Sequence, residues 1–553
     1  MKTIFLYQNK LVKNFFPKRL LFISLLLITM DSCDLSENPY GQYSTEGFYT
    51  NVKRLDLAVL NVYASLQTRA SHGEVLFTAF DNGTDLSHFL GAGASTGARG
   101  IAHYTIDANF SEIESFWRVC YTGINTANDV LANIDKVPTA NPNDIATKAK
   151  LEAEVKFLRA IYYFNLVRYF GDVPLKLGSS VLGDDFQMPR TPKADVYAQI
   201  VKDLEESIPD LPWNDQVTVS ERATKNAAMG MLARVQLFRG GYSLDQDGIR
   251  RRPDNYKEYY NEVLKWTDEL IKSGKNRLNP NYEQIFINQC KYLLDPKENL
   301  FEIDLVAIQG VLTNGFVGTS NGLTTVAGVY ARVAPWTRTH GFAYSKFETE
   351  DLRRDISIAT YSLNSSGVRV PIPADKSYDW TAGKWSRIYQ TDDQFKNLTM
   401  TNINFVVLRY SDVLLMRAEA LNEINGGSTA EANELVNQVR RRGYGKPIIA
   451  PNVTVDMPVG LNKQQFLSYI QDERARELMF EGGIRRLDLI RWNILGDKLK
   501  EVIDFQTKNP KLLGKYNFSA PQFFTQNQHE LYPIPLRELR ENKKLIQNPG
   551  YNY

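Results

Sequence analysis

Apolar side chains recur at three- and four-residue intervals through one long segment after another, which commits most of this chain to packed amphipathic helices. From Lys148 to Tyr169, the residues Leu151, Val155, Leu158, Ile161, Tyr162 and Leu166 form one broad stripe, and Gly171 followed by Pro174 stops it. The same spacing predicts helices over Arg54–Leu66, Glu112–Ile134, Lys193–Ser207, Lys225–Phe238, Tyr256–Ser273, Val406–Glu423, Ala430–Arg442 and Lys463–Glu481.

Several of these fall in pairs: 148–169 with 193–207, 225–238 with 256–273, and 406–423 with 430–442. The last pair is close to a tetratricopeptide unit, with small Ala418 and Ala420 at the contact and Asn425-Gly426-Gly427 at the turn. The pair spacing is too irregular for a simple repeat array. Between about Pro296 and Ser386 the helical period fades, Gly, Thr, Ser and Asn rise, and Trp336, Trp380 and Trp385 appear in irregular chain. The predicted fold is therefore mainly α. Tetratricopeptide-like helix pairs form a scaffold over about 51–300 and 405–553, with a loop-rich insertion at about 300–400 resting on it as an elaborated surface. Residues 33–553 are expected to make one domain.

Hydrophobic residues at 43% and charged residues at 23% exclude a disordered or polytopic membrane chain. The charge excess is local. Lys2, Lys10, Lys13, Lys18 and Arg19 precede residue 33, against one acid, Asp31; subtracting them from 65 basic and 63 acidic residues leaves 60 against 62. A nearly neutral body offers no phosphate-binding field, so nucleic acid is not expected as a partner. The basic start and the apolar run Leu20–Met30, too short to span a bilayer, read as a secretory signal over 1–32. Cys33 stands where a bacterial lipoprotein signal is cut and its cysteine acylated, which would anchor the protein in a membrane; a plain secretory signal is the alternative. Cys120 reads as a buried free thiol, with a long-range disulfide to Cys290 as the alternative.

Enzyme motifs are weak. Gly318-Thr319-Ser320-Asn321-Gly322 matches G-x-S-x-G but is followed by poor helix-forming chain and lacks the strand–turn–helix that a nucleophile elbow needs. Asp184-Asp185, Asp392-Asp393 and Glu348/Glu350/Asp351 are acid pairs by composition only. The five histidines have no ligand spacing, and Gly91-Ala92-Gly93-Ala94-Ser95-Thr96-Gly97 misses the dinucleotide pattern. No catalytic residue is assigned.

Binding fits better. A sugar stacks its C–H face on an aromatic plane while its hydroxyls seek Asp, Asn or Arg partners. Two loop regions supply those types: Phe80–Asp85 through His88 and Phe89 to His103-Tyr104, and Tyr330 through Trp336 and Arg338 to Phe342 and Tyr344. Trp336, Arg338, Tyr330, Tyr344, Asp81, Asn82, Asp85 and Phe89 are the candidate ligand contacts. Asp81, Asn82 and Asp85 could equally cap a helix or hold a structural Ca²⁺; no other cofactor is expected. Trp117, Trp266 and Trp492 lie in helices and are expected in the core, whereas Trp380 and Trp385 could be either.

Four segments in order carry a family resemblance. They are Arg159-Ala160, Tyr163-Phe164 and Phe170-Gly171-Asp172-Val173-Pro174; Arg409-Tyr410-Ser411-Asp412 with Arg417-Ala418-Glu419-Ala420; Glu473–Leu478 through Phe480-Glu481-Gly482-Gly483 to Arg485–Trp492; and Tyr532-Pro533-Ile534-Pro535. The chain resembles SusD/RagB-type nutrient-binding lipoproteins from Cys33 to Tyr553. That resemblance implies a glycan ligand, with peptides as the alternative and a surface glycoside hydrolase as a remoter one. It also implies an outer-membrane location facing the exterior and a SusC-like TonB-dependent transporter as partner. Spacings of three and four make Glu473, Arg476 and Glu477, and Asp488 with Arg491, readable as a structural charge ladder.

Overall fold

Side-chain caps start several of the helices. The computed structural model describes residues 45–552 apart from 218–219, 309–311, 314, 391–398 and 514–517, so the signal segment, Cys33 and the pair Asp392-Asp393 lie outside the described residues. A first unit, Met1–Tyr49, contains the described helix Thr45–Phe48; Thr50–Tyr553 is a second unit.

In the second unit α1 (Val52–Ala64) begins where Asn51 accepts from the N–H of Arg54. After α2 (Ser111–Asn133), α3 (Pro142–Phe170) starts with Asn141 as cap and Pro142 in the first turn, and ends at Gly171, whose φ of 72° a side chain would strain. Then follow α4 (Lys193–Ser207), α5 (Lys225–Arg239, capped by Thr224), α6 (Tyr256–Lys272) and α7 (Tyr282–Cys290). The C-terminal part holds α8 (Tyr410–Asn425), α9 (Ala430–Gly443, capped by Thr429), α10 (Lys463–Leu478), α11 (Arg485–Arg491) and α12 (Leu495–Lys508).

The expected hairpins form: α3 packs on α4, α5 on α6 and α8 on α9, and the pairs are joined by α4 against α5 and α6 against α8. From Leu151 onward α3 is buried almost all round, as befits a helix at the centre of a frame. Gly123 of α2 lets that helix approach the ring of Tyr162 on α3.

Four strands matter here: β1 (His88–Phe89), β2 (Asn299–Ile303), β3 (Thr337–Arg338) and β4 (Phe405–Arg409). β2 and β4 pair antiparallel and fasten together the two ends of the irregular stretch between them. The helix expected from Val406 therefore starts only at Tyr410, because Val406–Arg409 satisfies its backbone on β2 instead. Similarly, α10 ends at Leu478, short of Glu481, where Phe480, Gly482 and Gly483 turn left-handed at φ 67°, 85° and 65°.

Buried ion pairs fill the junction between α8, α9 and α10. Arg409 bonds Glu298 and Glu477 at 2.9 Å and Glu481 at 2.6 Å; Arg442 reaches Glu477 at 2.5 Å; Arg353 reaches Glu473 at 2.7 Å. Arg476 with Glu473 (3.0 Å) and Arg491 with Asp488 (2.7 Å) form the two intrahelical pairs expected from their spacing. Burial pushes the Glu473 carboxyl up, but Arg353, Arg476 and Arg440 together outweigh it and hold the group at about 2. Carboxylates gripped this way orient helices; they are not free to exchange protons with a substrate.

Candidate functional site

The two loop regions singled out in the sequence meet in a short antiparallel ladder. His88 of β1 stands opposite Arg338 of β3 and Phe89 opposite Thr337, and the N–H of Leu90 donates to the Trp336 carbonyl at 2.8 Å. This ladder places Trp336 over Phe89, ring centroids 5.6 Å apart and planes 15° from parallel. Phe89 is 4% exposed and Trp336 40%, so the pair presents one aromatic face backed by a buried ring.

That face stands on the wall of an open cleft of about 700 Å³. Its polar lining comes from Arg69 and Glu74, from Ser95, Thr96 and Arg99, and from Glu112 in the first turn of α2. Arg69 is ion-paired with Glu74 and lies 4.7 Å from the centroid of the Phe316 ring. The sequence reading missed these polar residues. The one visible sign was the glycine-rich run 91–97, whose rim residues line the cleft.

Of the eight candidates, Trp336 and Phe89 line this cleft. The other six do not. Asp85 is fully buried and takes both guanidinium arms of Arg485, at 2.8 and 2.7 Å, with Lys346 at 3.3 Å. Burial raises its carboxyl, but Arg485 and Lys346 outweigh that and hold it well below the usual range. Asn82 donates to the Thr78 carbonyl (2.6 Å) and to Thr337 Oγ1 (2.9 Å), bracing β3 from beneath. Asp81 is buried below the start of α11; burial raises its carboxyl to about 7, against the pull of the backbone N–H groups of Arg486, Ile484 and Arg485. None of the three lines the cleft: Asp85 is committed to Arg485, Asn82 to Thr78 and Thr337, and Asp81 is buried with one carboxylate oxygen unpartnered. Among the described residues no group of three or more His, Cys, Asp or Glu side chains could hold a metal ion.

Arg338 is buried and donates to Thr324 Oγ1 and the Asp379 carbonyl. Tyr330 packs on Leu323, Ala359 and Leu363. Tyr344 donates to Asp355 and leans on Trp380, ring centroids 5.2 Å apart. Trp380 and Trp385 are core residues, as are Trp117, Trp266 and Trp492; the indole N–H groups of the first two donate to Ile372 O and Gln289 Oε1.

The described hydrolase-like residues have structural partners as well. Ser320 is buried, donates to Glu74 Oε1 at 2.5 Å and sits in a turn with no helix after it. Asp184 and Asp185 pair with Lys176 and Lys544, Asp351 belongs to Arg353, and Glu348 accepts from Tyr444 at 2.7 Å. Cys120 and Cys290 are free and buried, which removes the disulfide alternative.

Comparison with known proteins gives the same fold. The SusD family model matches residues 335–551, and a second model, described as starch-binding associating with outer membrane, matches residues 50–237. SusD-like protein P2 of Formosa agariphila is 28% identical, the match covering 96% of this chain and 99% of that protein. A SusD homolog of Bacteroides thetaiotaomicron superposes with a TM-score of 0.84 at 30% identity, covering 92% of this chain and 98% of the other. A laminarin-binding SusD-like protein superposes at 0.70 with 24% identity, covering 91% and 100%. This chain belongs to the SusD family.

Proposed function

We propose that this protein captures a glycan in the Trp336–Phe89 cleft and delivers it, chemically unchanged, to a SusC-like TonB-dependent transporter. The observation that carries the reading is the half-exposed Trp336, held flat by Phe89 on the wall of a 700 Å³ cleft with hydroxyl, carboxylate and guanidinium groups around it. An aromatic plane with polar groups at its edge is what a sugar ring requires, and a preformed one costs little to order on binding. The starch-binding description of one matching model and the laminarin-binding relative support this class of ligand. Acylated Cys33 would hold the protein on the outer membrane with the cleft facing outward. The reading invokes no cofactor and no catalytic residue, and Asp85, committed to Arg485, is not part of a Ca²⁺ site in it.

Calorimetry of the chain from residue 34 onward against plant, host and microbial polysaccharides tests it. Binding of one glycan class without released product is expected. Binding confined to peptides would overturn the glycan reading, and product release abolished by one Asp or Glu substitution would overturn the non-catalytic one.

A further inference from the structure

The glycine-rich run 91–97, which fits no nucleotide motif, has a different job in the fold. Gly91, at φ +103°, lies against the Arg99 guanidinium so closely that a Cβ there would stand 2.8 Å from Arg99 Cζ. Gly93 and Gly97 also turn left-handed, at φ +80° and +62°, so the run is sharply curved. Side-chain bonds fix the curl: His103 Nδ1 meets the Gly93 carbonyl at 2.8 Å, the Gly93 N–H donates to Ser519 Oγ at 2.7 Å, and Thr105 Oγ1 donates to the Ser95 carbonyl at 2.6 Å. The loop is thus held in place with Gly91 directly against one guanidinium.

That guanidinium lines the cleft beside Trp336, partly exposed, and it is unmatched. Arg99 Nε is buried without an acceptor, and among the described residues the side chain pairs with no carboxylate. The other charged groups of the lining have hydrogen-bonding partners within the protein. Arg69 is paired with Glu74, which also accepts from Ser320, while Glu112 accepts from the Ala98 N–H and from Ser111 Oγ, both at 3.1 Å. A fixed fork of N–H donors with no internal acceptor matches a planar carboxylate or a sulfate far better than a neutral hydroxyl.

Resting on the capture reading above, we infer that the cleft selects an acidic glycan, whose carboxylate or sulfate group is taken by Arg99 while a neighbouring ring stacks on Trp336. The Ser95 and Thr96 hydroxyls at the cleft rim supply further donors to the same oxyanion.

The test is calorimetry of the detergent-solubilised full chain against homogalacturonan, alginate and carrageenan oligosaccharides, their methyl-esterified or desulfated counterparts, and neutral laminarin oligosaccharides. An acidic probe is expected to bind, to lose at least about tenfold on esterification or desulfation, and to weaken as NaCl is raised. Whether the esterified or the desulfated arm loses binding tells carboxylate from sulfate. Arg99→Gln is expected to weaken the acidic probe by about 10- to 100-fold. Arg99→Lys, which keeps the charge and loses the fork, should fall between, with the thermal midpoint tracking the parent in both. A neutral probe binding best, with Kd unmoved by Arg99→Gln, would overturn the inference and leave glycan capture standing. Failure of every glycan to bind would overturn both.

Discussion

Trp336 rests on Phe89 in a near-parallel stack, 5.6 Å between centroids, with one ring buried and the other 40% exposed. The two residues reach each other through a two-residue ladder between chain segments some 250 residues apart, and Asn82 braces that ladder through Thr337. A ring so backed is held in one orientation, which would keep the entropic cost of stacking a sugar on it low.

Trp336→Ala should therefore separate binding from stability. Loss of the platform is expected to weaken a bound glycan by about tenfold or more, while the thermal midpoint stays close to the parent's, because the ring is half in solvent. Phe89→Ala should lower both, costing about 3–5 kcal/mol of stability for a buried ring. Equal midpoint losses in the two variants would mean that Trp336 is a packing residue.

Asp81 predicts a pH dependence of known sign. Burial raises its folded carboxyl from the ordinary 3.8 to about 7. In the unfolded chain the group ionises near its ordinary value, so its contribution favours folding below about pH 4 and is lost progressively as pH rises toward 7. At about 1.4 kcal/mol per unit, the effect amounts to a few kcal/mol. Asp81→Asn, which cannot ionise, should gain stability relative to the parent between pH 4 and 8, measured by urea midpoints at fixed temperature. A difference that stays constant across that range would contradict a neutral Asp81. Glu473, held at about 2, works in the opposite direction: its contribution is full above its ordinary value of 4.5 and fades as pH falls toward 2.

The helical frame is legible because periodicity and stop signals are local; the expected starts at Lys225 and Ala430 and the stop at Gly171 coincide with the observed helix ends. Val406–Arg409 reads as helix in the sequence because an apolar run fits either period, and its strand partner, Asn299–Ile303, lies about a hundred residues away. Trp336 stood out as an aromatic between Pro335 and Thr337 in glycine-rich chain. The acids of the first loop could not be sorted by the same means, since what removes Asp85 from the surface is Arg485, 400 positions further on. The glycine run is legible as a loop, but its contact with Arg99 at Gly91 depends on the folded curve of the chain.

Cys33 carries the prediction about the membrane. Two or three acyl chains, at about 0.8 kcal/mol per buried methylene, are enough for stable anchoring. Among the described residues no helix is long and apolar enough to cross a bilayer. Cys33→Ala is expected to move the protein from the detergent-extracted membrane fraction to the soluble or secreted one, and globomycin, which blocks cleavage of lipoprotein signals, should leave a larger precursor. Continued membrane association of the variant would contradict lipidation at this residue.

The contact between Gly123 and Tyr162 reverses an ordinary rule. Replacing a helical glycine by alanine usually stabilises by about 1 kcal/mol. Here the new Cβ would lie 2.2 Å from Tyr162 Cζ, and the ring has nowhere to go: it is fully buried and its hydroxyl donates to the Val62 carbonyl at 2.5 Å. Overpacking of this kind costs about 1–3 kcal/mol, enough to overturn the propensity gain. Gly123→Ala should thus lower the urea midpoint. Tyr162→Leu, destabilising alone, should make the alanine nearly harmless, giving a coupling that a double-mutant cycle measures directly. A Gly123→Ala variant as stable as the parent would mean that α2 and α3 can separate at this crossing, and that the helix pair at the centre of the frame is held elsewhere along its length.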